Sequence, residues 1–202
     1  MRTTPMLIAA LLGTLCSTAS NEPPTQLRIE VDGKPYVTTA GATIDADVGG
    51  RRVKLRVEEL PWRRFAQGGL QFDYPRHFPW ESDPSPPRSW TLDGNDAVIM
   101  VFDNTLPKRK AEDLAGDIEK AIARGAHVER SKAVLRTDKA GILTGVVSTM
   151  EVAGSPFSNE VFVLGKGDLS WLLVLQDALG DDGAHSSEYT EMRKRLSATL
   201  EF

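Results

Sequence analysis

Three histidines, His77, His127 and His185, are the side chains of this 202-residue chain best suited to moving a proton near neutral pH, and they lie far apart in sequence. No two share a helix at the spacing that turns two imidazoles toward one metal ion. His185 follows Asp181-Asp182-Gly183-Ala184, a carboxylate-rich turn. A hard cation needs about six oxygens or more and this run supplies few, so a solvated turn is the better reading. Asp45 and Asp47 before Gly49 begin a calcium-loop pattern without its later ligands. Neither a Gly-x-Ser-x-Gly elbow nor a Ser-x-x-Lys constellation with its companions is present. Glu58 and Glu59 are neighbours on a strand, point to opposite faces and cannot flank one glycosidic bond. Gly165-Lys166-Gly167 lacks the phosphate-loop spacing. The residues therefore call for no metal, no cofactor and no catalytic group.

What remains is a binding surface. Pro75 to Arg88 (PRHFPWESDPSPPR) presents Arg76, His77, Trp80 and Arg88 in a proline-held segment. Stiffness lowers the ordering cost of binding, and tryptophan and arginine are the usual anchors of interfaces. These four residues are the candidates for contact with a protein partner. A competing reading has Phe78 and Trp80 plugging the end of a sheet, since large aromatics are mostly buried. Trp62-Arg63-Arg64-Phe65 has the composition of a stacking site for an anion or a single strand of nucleic acid. With the chain acidic as a whole, its aromatics are expected to pack down while the arginines stay in water. Lys108-Arg109-Lys110 precedes a helix and reads as a solvated loop rather than a phosphate site.

The elements around these residues follow from periodicity. Gln71 to Asn104 is the hub: a strand closed by Pro75, the proline-rich loop with His77 and Trp80, then a strand pair turned at Asp93-Gly94. Before it, Leu27 to Thr39 turns at Asp32-Gly33, and residues 43–60 turn at Gly49-Gly50 with Val53, Leu55 and Val57 on one face. The stretch 61–69 breaks the pattern and is expected to link these hairpins to the main sheet. After the hub, Ala111 to Ala126 is a helix with Leu114, Ile118 and Ile122 on one stripe, ended at Gly125. Strands at 132–136, 142–151, 160–164 and 169–176 are joined by short turns, which predicts an antiparallel meander. Ser186 to Leu200 is a second covering helix, with Tyr189, Met192, Leu196 and Leu200 sharing a face. Trp90 and Trp171 are expected in the core.

Composition is that of an ordinary globular chain: 41% hydrophobic, 26% charged, net charge −4. Both signs are interspersed, which argues against a nucleic-acid footprint and a polybasic membrane patch. Residues 1–19 read as a signal peptide: Arg2, the apolar run Met6 to Leu15, and Ser17-Thr18-Ala19 before a cut after Ala19. The run is too short for a membrane span, so no integral span is expected in the mature chain. Residues 20–26 form a flexible lead-in with two prolines, and residues 27–202 are expected to form one domain. Cys16 is the sole cysteine and lies inside the signal, so the mature chain has no disulfide and relies on its core. A lipidated Cys16 fits less well, because Leu15 occupies the place where a small residue is read.

The order of elements resembles the PsbP and DcrB superfamily over residues 70–202. The residues that carry the likeness are Tyr74-Pro75 at the end of a strand, Trp90 before the apolar strand Ala97 to Phe102, and the terminal tail Ser197-Ala198-Thr199-Leu200-Glu201-Phe202. The resemblance implies an α+β fold, an antiparallel β-sheet flanked by helices in an α-β-α sandwich, here with extra N-terminal hairpins over residues 27–60. It also implies a binding or assembly role rather than catalysis.

The expectation is an exported, non-enzymatic protein-binding or assembly factor of the cell envelope, periplasmic or secreted. An inhibitor or immunity protein of an envelope-acting toxin falls within that class. The alternative is an envelope hydrolase with a dispersed site, which requires a polar cleft where one of the histidines meets a carboxylate.

Overall fold

The structure, a computed structural model, describes residues 26–104, 108–122, 127–152, 154–166 and 168–202. The signal segment with Cys16, most of the lead-in and the expected helix end at 123–126 lie outside the described residues. The chain divides into two compact units, Met1–Glu59 and Leu60–Phe202.

In the first unit, β1 (Gln26–Val31) pairs antiparallel with β2 (Lys34–Thr39), and β3 (Thr43–Val48) with β4 (Arg51–Arg56). Asp32 and Gly33 turn the first hairpin with φ of 49° and 76°, the two positive values that a tight hairpin turn needs. The hairpins are tied together by the Tyr36 hydroxyl, which accepts from the Asp47 amide, and by Asp32, which accepts from the Gly49 amide. Val53, Leu55 and Val57 line one half-buried side, as the alternation predicts.

The second unit contains β5 (Trp62–Gln67), β6 (Leu70–Pro75), β7 (Trp80–Asp83), β8 (Ser89–Asp93), β9 (Ala97–Asp103), α1 (Ala111–Ile122), β10 (Val128–Thr137), β11 (Gly141–Val152), β12 (Ser155–Lys166), β13 (Leu169–Ala178) and α2 (Ser187–Thr199). Seven strands form one antiparallel sheet in the order β10-β11-β12-β13-β9-β8-β7. The predicted meander is its first half.

The sheet is buried on both faces. Along β13, Trp171, Leu173 and Leu175 join one core, and Leu172 and Val174 the other, as the period-two pleat dictates. The first core is closed by Tyr189, Met192 and Leu196 of α2, by Leu200 just after it, and by Phe65, Leu70, Phe72 and Tyr74 of the β5-β6 hairpin. The second is closed by Ala111, Leu114 and Ala115 of α1. Trp90 and Trp171 are both buried, as expected.

The α-β-α sandwich expected from the element order is overturned. The fold is mostly β, 58% strand against 14% helix, with only two helices among the described residues. Two physical facts account for the difference. The segment 62–67 is a strand rather than a linker: Gly68 and Gly69, with φ of 58° and 95°, turn it back onto β6, and the Phe65 and Phe72 rings stack at 4.7 Å. That hairpin covers sheet surface which a sandwich gives to helices. The meander strands are also longer than their apolar stretches, because charged residues such as Glu129 and Arg130 continue the ladder with their side chains in water.

α2 begins at Ser186, whose side chain accepts from the Tyr189 amide as an N-cap. No helix among the described residues is long and apolar enough to cross a membrane.

Candidate functional site

The four residues expected to meet a partner occupy two places rather than one. After Pro75 the chain makes a turn in which the Phe78 amide donates to the Pro75 carbonyl. Phe78 is fully buried and anchors the turn to the core. Trp80, expected in a loop, instead opens β7, the edge strand of the seven-stranded sheet, opposite Leu92. Its ring meets Phe65 edge-on at 6.3 Å yet remains 44% exposed. Of the two aromatics read as a plug, Phe78 is one and Trp80 is not.

His77 stands beside this turn, exposed, with Nε2 2.6 Å from Glu188 Oε1. Glu188 is the hub of the contact: it also accepts from the amides of Asp96 at 2.7 Å and Ala97 at 3.0 Å. Burial works to raise its pKa, but the His77 ring and the two amides outweigh burial, and the carboxyl titrates below its ordinary value. Arg76 is half-buried and its amide donates to the Pro61 carbonyl. Arg88 lies at the other end of the hairpin, four residues along β8 from the position opposite Trp80, or about 13 Å at strand rise. There it pairs with Asp103 at 3.0 Å and rests over the Trp90 ring. Arg76 and His77 therefore sit in the turn that leads into Trp80, while Arg88 stands at the far end of the β7-β8 hairpin.

A second cluster escaped the sequence reading. Asp177, at the end of β13 and fully buried, accepts from the Ser186 amide at 3.2 Å and the Ser186 hydroxyl at 2.7 Å, and its Oδ2 lies 2.6 Å from His185 Nδ1. With Nδ1 facing a carboxylate, Nε2 is the nitrogen left to act on anything outside. The imidazole stacks on the Tyr189 ring at 4.6 Å and 16°. Both border a cavity of about 440 Å³ with Glu160, Thr190, Arg193 and Lys194. Arg193 donates to both oxygens of Glu160, at 2.9 and 3.3 Å. The Tyr189 hydroxyl lies buried beside that pair, without a hydrogen bond of acceptable geometry. Burial and the adjacent Glu160 carboxylate together push its pKa far upward, so it stays a neutral phenol.

Asp181 and Asp182, read as part of a solvated turn, are both exposed, and Asp182 accepts from the Ala184 amide within that turn. The available signal was Asp177, an acid just after the apolar run Trp171 to Leu175. His127 lies 3.6 Å from Glu129, both well exposed. Among the described residues no three or more histidines, cysteines or acids gather as a metal site. Phe65 packs into the core as expected, whereas Trp62 is half-buried on the other face of β5, with the Arg195 guanidinium 5.4 Å over its ring. Arg64 does not stay free in water: it pairs with Asp73 at 3.4 Å and Glu201 at 3.6 Å. The sequence matches no protein-family model, and no curated protein matches it.

Proposed function

We propose that the protein is an exported, non-enzymatic binding or assembly factor of the cell envelope that holds a protein partner at the β7 edge, around Trp80. The observation that carries this reading is a half-exposed tryptophan on the last strand of a sheet. An edge strand offers unpaired backbone groups to an added strand, and Trp80 supplies an aromatic anchor beside them. His77 and the buried Phe78 hold the preceding turn in place, which reduces the ordering cost of capture. Export is supported by the sequence of residues 1–19.

The test is crosslinking in the native envelope from a photoreactive residue at position 80, followed by affinity measurement with the captured protein. Trp80→Ala should weaken capture ~10-fold or more with little change in the unfolding midpoint. Equal capture by wild type and variant would rule out this surface.

A second reading, an envelope hydrolase, is favoured by the Asp177-His185 pair beside its cavity. A buried carboxylate behind a half-exposed imidazole is how a general base is oriented toward water. The hydroxyl nearest the pair, Ser186 Oγ, donates to Asp177 rather than to the imidazole, so the attacking group in this reading is water. Turnover of ester or amide substrates by the wild type, lost in His185→Ala, would establish it over the binding reading.

A further inference from the structure

We propose that the sheet face beneath the start of α1 binds an anionic amphiphile, with its charged head among Lys108, Lys110 and Lys132 and its apolar chain against Phe102, Leu172 and the Pro86-Pro87 pair. Two cavities meet there. The larger, about 660 Å³, has a floor built by Thr144, Val146, Val163 and Ser170 on three successive strands. The smaller, about 340 Å³, is closed by Phe102, Leu172, Leu114 and the two prolines. Both volumes fall within the range of small-molecule sites.

Asn104 and Arg109 border both cavities. Asn104 is buried, accepts from the Arg109 amide at 2.8 Å and donates to the Arg109 carbonyl at 3.0 Å, which fixes this common wall. It also donates to Ser170 Oγ at 3.1 Å, so the buried Ser170 hydroxyl is left with its own proton to give.

The charge of the larger cavity selects the ligand. Lys108 and Lys110 come from the segment before α1 and Lys132 from β10, on the far side of the floor. None of the three is in a described ion pair, whereas Arg109 is already paired with Asp117. Glu112 is the one acid at the rim. The cavity carries this local excess of cations in a chain with net charge −4. The smaller cavity has the opposite character: beyond the wall it shares through Asn104 and Arg109, it is lined by Phe102, Leu114, Leu172 and the two prolines, and its one acid, Asp103, is held by Arg88. A purely ionic ligand leaves the apolar walls unused, and a neutral one leaves the lysines unanswered.

The full chain, labelled for amide NMR, is titrated with dodecyl phosphate below its micelle-forming concentration, with inorganic phosphate, and with uncharged dodecyl maltoside. Dodecyl phosphate should saturate, shift amides of residues 144–146, 163 and 170–172, and bind at least ~10-fold more tightly than inorganic phosphate. Charge reversal at two exposed positions, Lys108→Glu with Lys132→Glu, should weaken it ~10-fold or more; Lys110→Glu serves the same purpose if the double variant does not fold. Equal affinity for inorganic phosphate, equal affinity for the maltoside, or undiminished binding by a folded charge-reversed variant would each overturn the proposal.

Discussion

His77 Nε2 lies 2.6 Å from Glu188 Oε1, so that the turn after β6 is held by the first turn of α2, 111 residues away in sequence. The same carboxylate takes the amides of Asp96 and Ala97, which makes one half-buried residue the joint of three segments. Removing it leaves two amides to find other partners, which costs ~1–3 kcal/mol.

This joint predicts a pH dependence. The Glu188 carboxyl titrates below its ordinary 4.5 in the folded chain, so the unfolded chain takes up the proton first. Its contribution to stability is complete above about pH 4.5 and is lost as pH falls through the lowered folded value. In Glu188→Gln the acid limb of a stability-against-pH curve should flatten. His77→Ala, which removes one of the three holds, should move the Glu188 titration back toward 4.5 when followed by side-chain NMR.

Two glycines should respond to alanine with opposite signs. A Cβ at Gly94 would stand 2.5 Å from the Phe78 ring and 2.6 Å from Glu188 Oε2, both packed in place. Gly94→Ala should therefore cost ~1–3 kcal/mol in urea unfolding. Gly116 lies inside α1, where a Cβ meets only the end of the Arg130 side chain at 3.4 Å. Gly116→Ala should stabilise by ~0.5–1 kcal/mol, because glycine in a helix interior loses more backbone freedom than alanine.

The Tyr189 hydroxyl is buried against the Glu160-Arg193 pair. Tyr189→Phe should change stability by less than about 1 kcal/mol, since the hydroxyl abuts that pair without a well-formed hydrogen bond to it. Arg193→Met, at the next position in the same cluster, should instead cost ~3 kcal/mol or more. It strands the Glu160 carboxylate, which is 8% exposed, without its paired cation. Calorimetric melting of the two variants measures both effects.

Local order was legible before any coordinates. The alternation of Leu27 to Val31, the Asp32-Gly33 and Gly49-Gly50 turns, the four-strand meander and the helix capped by Ser186 all depend on residues within a few positions of one another. Backbone propensity and the period of the pleat act at that range. Where burial did not follow a simple period the strand was missed. In β5 only Phe65 is buried, with the half-buried Trp62 three residues before it and two exposed arginines between them.

The tertiary structure alone decided which strand became an edge and which charges met. Trp80 reads as a loop residue until β7 is placed beside β8. Asp177 and His185 meet, and Lys108 and Lys132 border one cavity, only because the path of the chain returns to the same place. Periodicity records which side of an element is apolar. It carries no record of which distant polar group stands opposite, because that pairing is set by strand order and by the crossover from β9 through α1 to β10. The fold class was misjudged for the same reason: whether a helix or a hairpin covers a sheet depends on which apolar face arrives there, and both satisfy the same hydrophobic demand.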